Sequence, residues 1–185
     1  MAATVASSLL VVGLVSACTL RPQDAPVVVP GSTRATTSGS VTATAVPFTM
    51  QVYLLRGDRL ARVERQVSEG SGIDPALAAL AMPVSRDEVA LGLRTALPAT
   101  TAPLVGRLTA DGAAEINVPQ GFDRLSVPAQ QEALAQLVFT VTADTIASAV
   151  QIVQDGKVRP MPDANGQLLY RPLTRDDYAA LSPAS

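Results

Sequence analysis

The stretch Pro128-Ala129-Gln130-Gln131-Glu132-Ala133-Leu134-Ala135-Gln136-Leu137-Val138-Phe139-Thr140-Val141-Thr142 decides how the fold is read. Proline suits the first turn of a helix, where its missing N–H would have had no partner. Ala133, Leu134, Leu137, Val138 and Val141 then recur at i, i+1, i+4, i+5 and i+8, which is one face of a helix. Gln130, Gln131 and Gln136 fall off that face. The spacing predicts an amphipathic helix from about Pro128 to about Thr142, with an apolar side that must be covered.

Strand signals flank this helix. Before it, Ala114, Ile116 and Val118 alternate with Glu115 and Asn117, as a half-buried strand does. Asp111-Gly112 is a hairpin turn that joins this strand to residues 104–110. After the helix, residues 149–154 and 157–161 flank Asp155-Gly156, and Asn165-Gly166 precedes residues 167–170. Thr174-Arg175-Asp176-Asp177 is a capping box that opens a short terminal helix through Leu181.

Nearer the N-terminus, residues 48–55 read as a strand, Arg56-Gly57-Asp58 as a tight turn and residues 59–67 as its partner. Leu60 is out of phase with Val63, which predicts a bulge. Arg56-Gly57-Asp58 also spells an integrin-binding tripeptide, but a glycine in a hairpin turn explains it. Asp74 and Pro75 read as N-cap and first residue of a helix carrying Ala76, Leu77, Leu80 and Ala81, ended by Pro83. Ser85-Arg86-Asp87-Glu88 is a second capping box, so Asp87 and Glu88 read as charge at a helix start rather than a catalytic pair.

The order β-β-α-β-β-α-β-β, then a short helix, predicts an α+β fold. It is a mixed, largely antiparallel sheet with two main helices packed on one face, plus a short C-terminal helix. The other sheet face is expected to be open. The expected core contains Val52, Leu54, Leu77, Leu80, Leu108, Ile116, Leu134, Leu137, Val138, Val141 and Ile152.

Composition narrows the function. The 185 residues include no His, no Trp and one Cys. A Ser-His-Asp triad and an HExxH zinc site are excluded, as are an internal disulfide and a multi-cysteine metal site. The net charge of −2 and six aromatics leave neither a basic patch nor a stacking platform for nucleic acid. No catalytic residue, metal ligand or cofactor site is assigned. Asp176-Asp177 and Lys157 with a serine are the residual enzymatic candidates, and capping accounts for the carboxylates.

The N-terminus reads as an address. Residues 1–17 carry no charge, and their apolar run is too short to span a bilayer. They read as a signal peptide. Val15-Ser16-Ala17-Cys18 resembles the bacterial lipobox, which implies cleavage before Cys18 and a diacylglyceryl group on its sulfur. Two or three chains on one residue anchor stably where one does not. Residues 18–47 follow as a tether; between 19 and 47 there are four prolines and eleven Ser, Thr or Gly. As a flexible coil this segment would reach about 30 Å. Residues 48–185 are left as the folded domain.

The folded part resembles the GerMN domain, a spore-germination family found in many actinobacterial lipoproteins. The resemblance rests on Val52-Tyr53-Leu54-Leu55-Arg56-Gly57, on residues 83–98 with Glu88 and Gly92-Leu93-Arg94-Thr95-Ala96-Leu97-Pro98, and on Asp111-Gly112 with its following strand. It continues through Gln130-Gln131 with Leu134-Ala135-Gln136-Leu137-Val138-Phe139-Thr140, and Ile152-Val153-Gln154-Asp155-Gly156-Lys157. It covers roughly residues 48–162. It implies an extracytoplasmic domain on the outer face of the cytoplasmic membrane, with no established catalytic residue.

Together these readings give a non-catalytic protein-interaction or scaffolding module of the cell envelope, held to the membrane by lipid on Cys18. The expected partner is an envelope protein, with a sensor kinase among the candidates, captured by an exposed sheet face or edge strand. The alternatives are a carrier of a small apolar or lipid ligand and a peptidoglycan-associated binding module.

Overall fold

The computed structural model describes residues 48–68, 70–99 and 102–184. The predicted helix is α3, Val127–Asp144, with Pro128 in its first turn and two residues more at its C-terminal end than the spacing indicated. It packs against β1 (Phe48–Arg56), α1 (Ile73–Ala81), β6 (Ala149–Gln154) and a terminal 3-10 segment, Arg175–Leu181. Leu134, Leu137, Val138 and Val141 are fully buried. Gln136 does not lie off the buried side as its spacing suggested; it is fully buried too.

The class is α+β, with mostly antiparallel pairing, and the strands divide into separate sheets. One has the order β2-β1-β3, with β2 at Arg59–Val67 and β3 at Leu93–Arg94. The other has the order β4-β5-β6-β7, with β4 at Val105–Leu108, β5 at Ala113–Asn117 and β7 at Lys157–Val158. A short pair, β8 (Met161–Pro162) and β9 (Leu168–Leu169), surrounds the Asn165-Gly166 turn. β5 and β6 are parallel because α3 is the crossover between them.

Between β6 and β7, Asp155 and Gly156 both have positive φ, as a type I′ hairpin requires. The β1–β2 register runs without interruption from Phe48↔Val67 to Arg56↔Arg59, so the expected bulge is absent. Leu60 and Val63 are out of phase because this hairpin uses both faces. Leu60 is buried on the face that carries Tyr53 and Leu55, and Val67 on the face that carries Val52 and Leu54.

Two further expectations change. Asp74 is not the N-cap of α1; Gly72 is, and Asp74 in the first turn accepts a 2.9 Å hydrogen bond from the Gly106 N–H. Leu108 is 41% exposed rather than in the core, because its edge strand β4 is covered only near Gly106. The other ten expected core residues are all at most 1% exposed.

Gly106 allows α1 to approach β4. A Cβ there would sit 2.5 Å from Ile73 Cγ2 and 3.1 Å from Leu77 Cδ1. Arg65 fastens the other end of α1. Its guanidinium donates to the Ala79 and Met82 carbonyls and pairs with both Glu88 oxygens, at 3.1 and 2.9 Å. Glu88 also accepts from the Ser85 N–H, completing the capping box of α2 (Arg86–Ala90). The second box has Asp177 accepting from the Thr174 N–H, although the segment it opens is 3-10 with a break at Tyr178. Buried Tyr178 donates to the Pro162 carbonyl at 2.7 Å, and burial pushes its phenol well up, so it stays protonated.

Three expectations test this packing. Leu137→Ala lowers unfolding free energy by about 2–5 kcal/mol in urea titration, as a buried leucine truncation does. Gly106→Ala costs about 1–3 kcal/mol by overpacking against Ile73, and Ile73→Ala in the same chain recovers part of it. The third concerns acid. Burial pushes the Glu88 carboxyl up, but Arg65 and Ser85 together hold it below its ordinary value; Arg171 does the same for Asp177. Stability from these groups is therefore complete above the ordinary carboxylate range and is lost as pH falls through the lowered values. Glu88→Gln flattens that acid limb in urea midpoints measured against pH; an unchanged limb contradicts the assignment.

Candidate functional site: an arginine-rich hairpin end

The two-residue turn Gly57-Asp58 fixes what stands on either side of it. In that register Arg56 and Arg59 are direct cross-strand partners, and both are exposed. Like charges set opposite each other on a hairpin are destabilising. Arg62, opposite Tyr53, adds a third exposed guanidinium. Arg65, Arg94, Arg107 and Arg171 are each held by a carboxylate, but Arg56, Arg59 and Arg62 enter no ion pair among the described residues.

These three arginines surround an open hollow of about 530 Å³, with Tyr53, Leu60 and Pro183 among its walls and Asp58 as its one acidic side chain. The floor is rigid. Tyr53 meets Phe139 edge-on at 5.4 Å, and the Arg175 guanidinium stacks 5.7 Å from the Tyr53 ring and 5.1 Å from the Phe139 ring. Arg175 also donates to Thr142 Oγ1 and to the Phe139 carbonyl, which pins the terminal segment to α3. Excess positive charge beside apolar surface suits an acidic, partly apolar polypeptide segment.

A second hollow, of about 500 Å³, is more apolar. It includes Ile73, Leu108 and Ile146, the last of which is 84% exposed. Among the described residues no group of three His, Cys, Asp or Glu could hold a metal ion, no helix is long and apolar enough to cross a membrane, and no buried side-chain polar atom lacks a partner.

Cys18, the one site residue assigned from sequence, lies outside the described residues, as do residues 1–17 and the tether up to 47. Glu88 and Asp177 are occupied by capping and by their arginines. Lys157 is exposed on β7 and forms no hydrogen bond to a serine among the described residues. The opposed arginines escaped the sequence reading although the signal was present: a two-residue turn makes its flanking residues face each other.

A family model described as sporulation and spore germination, Germane, matches residues 29–159. No curated protein sequence matches the chain. Among solved structures, the tandem GerMN domains of the sporulation protein GerM from Bacillus subtilis superpose with a TM-score of 0.57 at 17% identity, over 71% of this chain and 48% of that one. The first GerMN domain of the same protein gives 0.51 at 19% identity, over 70% of this chain and 98% of that one. The chain thus spans about half the length of the tandem structure, and at these identities the likeness concerns the fold alone. Because the family model covers well over half of the sequence, from the segment before β1 to the hairpin after α3, the chain belongs to the Germane family of sporulation and spore germination.

Proposed function

We propose that the chain is a non-catalytic interaction module of the bacterial cell envelope. In this reading residues 1–17 are removed, Cys18 is lipidated, residues 18–47 tether, and residues 48–185 form the domain displayed on the outer face of the cytoplasmic membrane. The observation that carries the proposal is the pair of opposed arginines at the end of the β1–β2 hairpin, neither of which enters an ion pair among the described residues. A feature that costs folding stability and enters no ion pair among the described residues is suited to an external partner. Strand β1 starts where the tether ends, and its nine residues carry the arginines about 26 Å from that point. The partner's matching surface is acidic, and an envelope protein such as a sensor kinase fits this description. The 500 Å³ hollow beside Leu108 and Ile146 is where the alternative, a small apolar or lipid ligand, would act.

Two measurements test the proposal. Cys18→Ala moves the protein from the membrane fraction to the soluble one; retention in membranes contradicts the anchor. A photo-crosslinker at Asp58 captures a defined envelope protein from intact cells, one at Asn117 on the other sheet does not, and Arg56→Glu with Arg59→Glu abolishes capture. Equal capture from both positions, or capture that survives the double reversal, contradicts the site.

A further inference from the structure

Strand β2 ends its sheet, and its nine residues have no strand on their outer side among the described residues. The register settles which groups point outward. Arg56 and Arg59 close the two-residue turn as a hydrogen-bonded pair, so Ala61, Val63 and Arg65 bond inward to β1. Leu60, Arg62, Glu64 and Gln66 then direct their N–H and C=O groups to the open edge. The alternation is confirmed across the hairpin: Gln51 and Tyr53, opposite Glu64 and Arg62, offer their N–H groups to α3 on the far side of β1.

We propose that this edge pairs with the same edge of a second copy, antiparallel about a two-fold axis at Val63. The side chains select this partner. Arg62 and Glu64 are both exposed and enter no ion pair among the described residues, and they stand two residues apart on one face. A two-fold centred on Val63 sets Arg62 of each copy opposite Glu64 of the other, and Leu60 opposite Gln66. Centring on Arg62 or on Glu64 instead sets like charges face to face, which is unfavourable. Charges on an edge ordinarily keep copies apart; these two, of opposite sign, do so when the axis falls on either of them and attract in this register. The parity agrees as well, because the outward-bonding residues meet each other. The product is a continuous sheet of order β3-β1-β2-β2-β1-β3, with an isologous interface of the commonest oligomer symmetry. The net charge of −2 leaves little repulsion between copies.

The test is sedimentation equilibrium on the full chain with Cys18→Ser, so that no lipid drives association. The chain is expected to dimerise. Arg62→Glu and Glu64→Arg each weaken the dimer at least about tenfold, since each homodimer then has like charges at both contacts. An equimolar mixture of the two variants restores it, because both carboxylates of one variant then face guanidinium groups of the other. A chain that stays monomeric up to about 1 mM, a dimer indifferent to both reversals, or a mixture as weak as its components overturns the proposal. A second variant reads the same axis without altering charge: Val63→Cys in the Cys18→Ser chain oxidises to a disulfide-linked dimer, since the non-hydrogen-bonded pair across the axis sits about 4.5 Å apart at Cα. Cross-linking no faster than that of Asn117→Cys also overturns it. Arg62 also lines the arginine-rich hollow, but Glu64→Arg and Val63→Cys leave all three of its arginines in place, so those two variants read the dimer independently of that site.

Discussion

One edge of β1 is satisfied by a helix rather than by a strand. β3 pairs only with Leu55 and Arg56, and below that point the edge would stand open. Three side chains of α3, spaced by four residues, close it. Gln136 Nε2 donates to the Tyr53 carbonyl at 2.9 Å, Thr140 Oγ1 accepts from the Tyr53 N–H at 3.0 Å, and Asp144 Oδ2 accepts from the Gln51 N–H at 2.6 Å. Buried backbone groups without partners cost about 1–3 kcal/mol each, so this stripe sets where α3 must lie. Gln136 does more. Its Oε1 accepts from the Ala96 N–H at 2.8 Å, and Ala96 would pair with Tyr53 if the β1–β3 ladder continued. The side-chain amide stands in the ladder where the two strands part.

This arrangement explains how one helix serves two sheets. The apolar side of α3 meets Ile116 and Ile152 of the second sheet in one core, while its polar stripe is bonded to the first. α1 is held between Arg65 at its C-terminal end and the close contact at Gly106. β1 is covered by α3 on one side and by β2 on the other, and no strand among the described residues pairs with the outer edge of β2. The surface features proposed to meet partners, the opposed arginines and the Arg62–Glu64 alternation, both stand on this hairpin.

Much of this was legible in the chain. The helix at Pro128, the turns at Asp111-Gly112 and Asp155-Gly156, and both capping boxes follow from local chemistry that tertiary contacts do not override. Leu108 was misplaced because alternation reveals which residues share a face, not whether the strand lies at an edge. Gln136 was misplaced for a deeper reason. A polar residue beside an apolar stripe reads as solvent-facing, and only the topology reveals a backbone edge waiting for its amide. Asp74 illustrates the same limit, since its carboxylate caps a strand N–H rather than its own helix. The arginine pair required only the turn length.

The central claim is that α3 side chains complete the edge of β1, and amide hydrogen exchange at Tyr53 tests it most directly. The reference is the Val52 amide on the same strand, which faces β2. In Thr140→Val the Tyr53 amide should exchange at least about tenfold faster relative to Val52 than in the unaltered chain, corresponding to about 1.4 kcal/mol of lost local protection. A Tyr53 amide that stays as protected as before would contradict the claim, because the strand would then have another partner.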